Sequence, residues 1–235
     1  MATICTATTK GGAGKTTLLI NLAAELRRGG YSVAIVDADP QQHAARWALH
    51  GLVRPQDLGP ELAEGRHGIT VAVNVGDRDI MDRIIDLGAR KDAVLVDLQG
   101  SANQAMLMAF GVADLVLVPV QPSEYDIDGA VTTLRSVKAA REMTRRPIEA
   151  RVVLTRTSPS FATRAARETR QAFERAAVPL LGVEFLERVA FKEATFTGAA
   201  PSLDDPTSPA AKNVAALCAE VLALLARSAA ESITA

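Results

Sequence analysis

Short apolar runs alternate with longer amphipathic stretches along the whole chain. The runs are mostly apolar at consecutive positions, which is typical of strands buried on both faces of a sheet. Strands are predicted at residues 4–8, 32–37, 70–73, 93–98, 115–118, 152–155 and 180–183. Helices are predicted at residues 15–28, 41–49, 77–88, 103–110, 126–143, 161–176 and 209–227. This alternation predicts a three-layer α/β fold, with a mostly parallel twisted sheet and helices on both faces.

Local signals indicate where several helices begin and end. Gly29-Gly30 ends the first helix, because glycine readily adopts the conformation that follows a last helical turn. Ser158-Pro159 and Ser208-Pro209 each put a capping hydroxyl before a proline, which is typical of a helix start. Residues 54–68 are the least regular stretch. The chain suits one domain over residues 1–235, and the tail after about residue 228 is expected to fray.

The composition favours a cytoplasmic protein. Apolar runs stay below the ~18 consecutive residues that a membrane-spanning helix needs. The start, Met1-Ala2-Thr3-Ile4, enters a strand at once and shows no signal-peptide pattern. Cys5 and Cys218 make neither a metal-binding spacing nor a disulfide framework, so a reducing compartment is expected.

Positive charge is concentrated in one part of the chain. The formal net charge is −1, but residues 135–175 hold eleven Lys and Arg against four Asp and Glu. This excess indicates an anionic partner on one side of the molecule. In the helix at 161–176, Arg164, Arg167 and Arg170 lie on the arc opposite the apolar positions. Two interpretations stay open for this arc, a solvated amphipathic helix or a track for the backbone of non-specific DNA.

A glycine-rich loop stands between the first strand and the first helix, Lys10-Gly11-Gly12-Ala13-Gly14-Lys15-Thr16-Thr17. Glycines let successive backbone N–H groups turn inward around a phosphate, and the helix N-terminus adds partial positive charge. Lys15 is expected to reach the β- and γ-phosphates, and the Thr16 hydroxyl to bind Mg²⁺. A glycine turn before a core helix is the weaker alternative, because Gly14-Lys15-Thr16 occurs in strand–loop–helix context.

The extra lysine of this loop, Lys10, carries a resemblance to a known family. Residue 9 is Thr, where the standard phosphate-loop pattern has Gly, and a second lysine precedes the glycines. The loop resembles the deviant Walker A motif of the ParA/MinD superfamily. The resemblance implies that Lys10 acts across a sandwich dimer, on the nucleotide of the facing subunit. A solvated loop lysine is the alternative interpretation.

Two acidic segments complete the expected site. Asp37 and Asp39 leave the carboxyl end of a buried strand in Val36-Asp37-Ala38-Asp39-Pro40-Gln41, where ligands bind in such sheets. A turn Asp before proline is the alternative. The resemblance implies that Asp39 positions the attacking water and that Asp37 lies near the metal. No strong general base is among these groups, so hydrolysis is expected to be slow.

The second acidic segment, Val94-Leu95-Val96-Asp97, is typical of a Walker B motif, an apolar strand that delivers one carboxylate to Mg²⁺. The sequence then departs from the family. Thr-Pro or a similar pair usually follows the aspartate, whereas this chain has Leu98-Gln99-Gly100. Gly100 can still offer its N–H to the γ-phosphate.

Further segments resemble the family less specifically. Residues 118–126 resemble a loop near the dimer face of small ParA proteins, and a proline-bounded loop with Asp126 as helix N-cap is a compatible interpretation. Arg156 and Pro201 resemble the positions that hold adenine. Arg46-Trp47, residues 126–130 and residues 153–157 are similar to VirC-type members.

The resemblance implies a nucleotide-switched function. It implies an ATPase that uses ATP and Mg²⁺, forms a homodimer on ATP binding, binds DNA non-specifically and is stimulated by a ParB-like or cargo-adaptor partner. Such a protein is nucleoid-associated and positions a plasmid, a chromosome locus or a protein cargo. Residues 212–227 predict a packing helix, so no membrane is expected. The alternatives are a small-molecule ligase similar to dethiobiotin synthetase, a MinD-like membrane regulator and an inactive scaffold.

Overall fold

The computed structural model describes residues 1–59, 62–100 and 103–234. Its sheet has eight strands in the order β3-β4-β2-β5-β1-β6-β7-β8, and only the β3–β4 pair is antiparallel among the described pairs. The strands are β1 (Ala2–Thr6), β2 (Val33–Asp37), β3 (Leu62–Glu64), β4 (Thr70–Ala72), β5 (Ala93–Asp97), β6 (Leu115–Val120), β7 (Glu149–Thr157) and β8 (Phe185–Leu186). The predicted mostly parallel sheet is confirmed.

Helices cover both faces of this sheet. They are α1 (Lys15–Arg28), α2 (His43–Ala48), α3 (Ile80–Gly88), α4 (Gln104–Val112), α5 (Glu124–Thr144), α6 (Arg164–Arg175), α7 (Val189–Thr197), α8 (Pro201–Asp204) and α9 (Pro209–Thr234). One apolar cluster joins the sheet to α1, α2, α7 and α9, and a second joins it to α3, α4, α5 and α6. The three-layer α/β fold is therefore confirmed.

One predicted strand is displaced along the chain. Residues 180–183 were expected to be a strand, but Leu180 makes only an isolated bridge to Val152, and β8 follows at 185–186. The cause is a side chain of α9, because the Glu220 carboxylate accepts hydrogen bonds from the N–H groups of Gly182 at 2.8 Å and Val183 at 2.9 Å. These N–H groups are therefore not available to a neighbouring strand.

Of the two predicted helix starts, one is confirmed and one is wrong. Ser208 caps α9, since its hydroxyl accepts from the Ala211 N–H at 3.2 Å. Ser158 caps no helix, because its hydroxyl accepts from the Ser160 N–H in a turn directly after β7. Helix α6 starts later, where the Thr163 side chain accepts from the Ala166 N–H at 3.1 Å. The prediction of a helix start at Ser158-Pro159 was wrong.

Helix α9 continues past the predicted end near residue 227 and reaches Thr234. By length and composition alone, its segment 209–230 is the one helix of the described chain that is long and apolar enough to cross a membrane. One side of it is fully buried in the protein core at Val214, Leu217 and Val221. Core helices pass the same test, and the expectation that no membrane is involved stays a prediction.

Candidate nucleotide site

The glycine-rich loop has the backbone shape that its sequence predicts. Gly12 and Gly14 have φ values of +81° and +93°, a region in which a side chain would be strained. Two neighbouring elements hold the loop in place. The Thr155 hydroxyl donates to the Ala13 carbonyl at 2.8 Å, and the Gln121 amide donates to the Gly12 carbonyl at 2.6 Å. The loop is therefore a rigid cradle that leads into the N-terminus of α1.

A cavity of about 610 Å³ opens beside the loop. Of the predicted site residues, its wall contains Gly11, Gly12, Gly14, Lys15, Thr16, Thr17, Asp39 and Arg156. Gly100 borders it too, and a Cβ added there would lie 3.1 Å from Lys15 Nζ. The volume is in the range of cofactor sites, and the glycine backbone leaves room for phosphate oxygens. The residues therefore fit a nucleotide.

The two predicted metal-binding carboxylates lie below this cavity. Asp37 and Asp97 end the paired strands β2 and β5 in the same register, and both are buried. The Thr16 hydroxyl donates to Asp97 Oδ2 at 2.7 Å. Asp37 accepts from the N–H groups of Asp39 at 3.1 Å and Ala45 at 2.8 Å. Thr16 lines the cavity and contacts Asp97, while both carboxylates are buried beside the cavity wall.

Three buried or partly buried charged side chains, Lys15, Asp37 and Asp97, lie close together beside the cavity. Burial raises the pKa of Asp37, and the nearby charge of Asp97 raises it further. Burial also raises the pKa of Asp97, although the Thr16 hydrogen bond and the Lys15 charge oppose the rise. Burial lowers the pKa of Lys15, against the attraction of Asp97 and Asp39. A cation beside the carboxylates favours their charged form, and carboxylate and hydroxyl oxygens suit Mg²⁺.

The chain's own side chains supply only part of a metal shell. The described residues contain no group of three or more His, Cys, Asp or Glu that could hold a metal ion. Mg²⁺ commonly takes one or two protein carboxylates and completes its shell with water and substrate phosphates. The site therefore fits Mg²⁺ bound together with a nucleotide.

Asp39 differs from the two buried carboxylates. Its side chain is half-buried in the cavity wall, and its Oδ1 accepts a hydrogen bond from the Gln41 N–H at 2.9 Å. The second carboxylate oxygen accepts no hydrogen bond from the part of the chain that the structure describes. This oxygen is therefore free to face the cavity solvent.

Lys10 lies outside the cavity wall formed by the described residues. Its ammonium is 2.7 Å from Asp126 Oδ2 and 5.7 Å from the centre of the Tyr125 ring. The Asp126 side chain is only 6% exposed, whereas that of Lys10 is 40% exposed. Asp126 is not the cap of α5, because the Ser123 side chain accepts from the Asp126 N–H and serves as the N-cap. Sequence reasoning missed this ion pair, since nothing in the spacing joins residues 10 and 126.

A second cavity of about 400 Å³ adjoins the first and shares Gly14, Thr17 and Arg156 with it. Phe185 and Phe191 stack in its wall with ring centroids 4.5 Å apart. Sequence reasoning missed both rings, because α7 was not predicted and a lone Phe in an irregular stretch carries no signal.

The two residues predicted to hold adenine are separated. Arg156 borders both cavities and has a φ of +54°, which is costly for a residue with a side chain and is often found at functional sites. Pro201 is buried at the start of α8 and is not among the described residues that line either cavity. The structure therefore brings Arg156 to the site and does not bring Pro201.

The three arginines predicted to bind DNA lie on one side of α6. Arg164 pairs with Glu168 at 2.7 Å, and Arg170 pairs with Glu184 at 2.7 Å. Arg167 donates to the Ala162 carbonyl at 2.7 Å. Their charge is therefore partly neutralised within the chain.

On the side of α6 opposite these arginines, fewer residues are buried than the sequence predicted. Ala166, Thr169 and Phe173 are buried, but Ala165 is exposed, and Phe161 lies before the helix and is 68% exposed. The predicted apolar arc was wrong at Phe161, Ala165 and Ala176: Phe161 precedes α6, Ala176 follows it, and Ala165 lies within it but is exposed.

The parallel sheet, the glycine cradle and the paired carboxylates define a P-loop nucleotide-binding protein. The chain belongs to the CobQ/CobB/MinD/ParA nucleotide binding domain family, whose model matches residues 4–201. The resemblance inferred from the phosphate loop is thereby confirmed.

Three relatives show which members are similar. Protein ParA of Rhizobium radiobacter is 32% identical over 68% of this chain and 67% of its own length. Maintenance of carboxysome distribution protein A of Halothiobacillus neapolitanus is 30% identical over 83% and 84%. Protein virC1 of Rhizobium rhizogenes is 30% identical over 54% and 52%, which agrees with the similarity to VirC-type members.

Solved structures share the fold at lower identity. Apo McdA from Cyanothece has a TM-score of 0.79 at 18% identity and covers 94% of this chain and 99% of its own. Cobyrinic acid a,c-diamide synthase from Mycobacterium smegmatis, solved with ADP and magnesium, has a TM-score of 0.75 at 19% identity and covers 94% of each chain. The same fold therefore occurs in McdA and in a synthase named for cobyrinic acid.

Proposed function

We propose that this protein is a Mg²⁺-dependent ATPase of the ParA type, which dimerises around ATP and positions a plasmid, a chromosome locus or a protein cargo. The names of the relatives include a partition protein and a carboxysome distribution protein, and these names support the positioning role. A ParB-like or cargo-adaptor partner would stimulate hydrolysis. The protein would act in the cytoplasm on the nucleoid.

The observation that carries the proposal is the direction of Lys10. Lys15 lines the cavity of its own chain, whereas the Lys10 ammonium pairs with Asp126. The Lys10 side chain remains 40% exposed. Two lysines at one triphosphate of the same subunit repel each other. A partly exposed lysine outside its own cavity wall suits a triphosphate bound by a second copy of the chain.

Within one subunit, each residue takes a defined role. Lys15 would neutralise the β- and γ-phosphates, and the N–H groups of the loop would donate to their oxygens. Thr16 and Asp97 would hold Mg²⁺, and Asp37, which lies next to Asp97 on the paired strand, would add negative charge near the metal. When bound, Mg²⁺ neutralises charge that develops on the phosphate oxygens. Asp39, with one carboxylate oxygen open to the cavity, would orient the attacking water.

The purine base would lie in the second cavity, next to the stacked rings of Phe185 and Phe191. That cavity starts at Gly14 and Thr17, so a nucleotide whose phosphates occupy the cradle can extend into it. Arg156 stands between the two cavities and would contact the nucleotide where base and phosphates meet.

A small-molecule ligase is the second candidate function. The similarity to cobyrinic acid a,c-diamide synthase favours it, because that enzyme has the same fold. A ligase would need a pocket for its second substrate and would not need Lys10. The two functions therefore differ in what Lys10 does.

The proposal is tested by sedimentation of the wild-type chain at equilibrium. With Mg²⁺ and a non-hydrolysable ATP analogue we expect a dimer, and with ADP a monomer, because only the triphosphate reaches the facing Lys10. Lys15→Ala, which removes the phosphate-binding lysine, should stay monomeric with either nucleotide. A wild-type chain that remains monomeric when saturated with the analogue contradicts the proposed dimer.

DNA binding belongs to the same proposal and is tested at α6. The triple change of Arg164, Arg167 and Arg170 to Ala should weaken ATP-dependent retardation of arbitrary duplex DNA. The slope of log affinity against log salt should become shallower by about 0.9 for each phosphate that the variant no longer neutralises.

The matched control for the DNA test replaces exposed arginines that also sit in ion pairs, Arg28, Arg54 and Arg90. This control triple lies outside the basic stretch and should leave retardation unchanged. If the α6 triple binds DNA as the wild type does, this helix is not the DNA surface.

A further inference from the structure

Gln99 lies at the edge of the phosphate cavity. It follows β5, two residues after Asp97. Leu98 between them is only 1% exposed and packs in the core. Gln99 is exposed instead and contributes to the wall of the phosphate cavity, together with Lys15 and Asp39.

The backbone after Gln99 lies directly against the phosphate-binding lysine. A Cβ built on Gly100 would be 3.1 Å from Lys15 Nζ and 3.4 Å from the Gly11 nitrogen. Gln99 precedes this contact by one residue, and it lines the same cavity as Lys15 and the glycine loop.

The Gln99 amide has a hydrogen bond to Asn103, the residue that caps α4. The Asn103 amide donates to Gln99 Oε1 at 3.4 Å, while the Asn103 carbonyl oxygen caps α4 by accepting from the Met106 N–H at 2.9 Å. The Gln99 carbonyl oxygen is therefore engaged. Its NH₂ group has no hydrogen-bond partner within residues 1–59, 62–100 and 103–234. Two N–H donors remain for a ligand in the cavity.

We propose that Gln99 is a further catalytic residue of ATP hydrolysis, which donates from its NH₂ group to an oxygen of the terminal phosphate as charge develops there. This inference rests on the proposed ATPase function. In the reaction, the oxygen of water bonds to the γ-phosphorus, the bond to the β–γ bridging oxygen breaks, and the water proton leaves with the product phosphate or to solvent. Asp39 accepts a hydrogen bond from the water, and Gln99 acts on the phosphate side.

A neutral donor suits this point of the site. Asp37, Asp39 and Asp97 already bring three carboxylates to one end of the sheet. A fourth carboxylate would repel the phosphate. A preorganised amide donor stabilises developing charge without adding a charge of its own.

The test compares variants in single-turnover hydrolysis of ATP with Mg²⁺, alongside ADP affinity and thermal unfolding. Gln99→Leu should slow hydrolysis by about 10²-fold, the usual effect of removing one such donor, with ADP affinity unchanged within about twofold. Gln99→Glu should be as slow, because it keeps an acceptor and removes both donors. Asn103→Ser keeps a helix cap and releases the Gln99 carbonyl oxygen, so it should slow hydrolysis to a smaller extent.

The control is Gln104→Leu, which alters an exposed glutamine of α4 outside the cavity wall and should leave the rate unchanged. Wild-type turnover in Gln99→Leu or in Gln99→Glu overturns the inference and leaves the ATPase proposal intact. A parallel decrease of ADP affinity and hydrolysis in Gln99→Leu also overturns it, because Gln99 would then serve binding. A wild-type chain that does not hydrolyse ATP overturns both.

Discussion

Replacing Lys10 by alanine should lower ATP turnover by about 10³-fold and leave ADP affinity nearly unchanged. A cation supplied in trans to a transferring phosphate commonly contributes about 10³ to 10⁵ in rate. Lys10 lies outside the cavity wall formed by the described residues, so binding of nucleotide by one subunit does not depend on it. Turnover is measured at saturating ATP, and affinity by titration with ADP.

The matched control for Lys10 is Lys212→Ala, since Lys212 is an exposed lysine of α9, which lines neither cavity of the nucleotide site. It should turn ATP over as the wild type does. A Lys10 variant that keeps wild-type turnover would favour the ligase candidate, whose chemistry has no need of a lysine from a second copy.

The ion pair with Asp126 must weaken before Lys10 can act on the nucleotide of a facing subunit. Asp126 is almost fully buried and also receives a hydrogen bond from Ser123, so it remains in place while the exposed lysine is free to move. A phosphate from a facing subunit has to compete with this carboxylate for the ammonium. In the proposed dimer, association would therefore cost part of an existing ion pair.

The parts of the site that the sequence predicts are those encoded by neighbouring residues. The φ values of Gly12 and Gly14 follow from their glycine identity, and Asp37 and Asp97 meet because each ends a buried strand of one parallel sheet. In both cases, local backbone rules and the sheet direction are sufficient to place the group.

The parts that were not predicted depend on contacts between distant residues. The Glu220 carboxylate of α9 accepts hydrogen bonds from the N–H groups of Gly182 and Val183, and the strand lies at 185–186 instead. Phe185 and Phe191 form a wall only once β8 and α7 are packed together. Such contacts leave no periodic pattern in the chain, which is why the second cavity was missed.

Replacing Asp39 by alanine should trap the dimer in its ATP form. The Asp39 side chain is half-buried, and its carboxylate accepts a hydrogen bond from the backbone of its own loop, so the fold does not rest on it. Hydrolysis should fall by about 10³-fold, within the range of about 10²- to 10⁴-fold typical of groups that manage protons in a transition state. Sedimentation with ATP should show a lasting dimer, and with ADP a monomer. A variant that stays monomeric with ATP, or hydrolyses it at the wild-type rate, contradicts the assigned role.

Mixing the Asp39→Ala and Lys10→Ala chains tests whether Lys10 acts on the nucleotide of its own subunit or on that of the facing subunit. In a mixed dimer, the site of the Lys10 variant keeps its own Asp39 and receives Lys10 from its partner, so one site of the two is complete. The mixture should therefore regain turnover that neither variant has alone. If Lys10 acts on the nucleotide of its own subunit, each site of the mixed dimer lacks one required group, and mixing restores nothing. The direction of Lys10, away from its own cavity and towards Asp126, favours recovery.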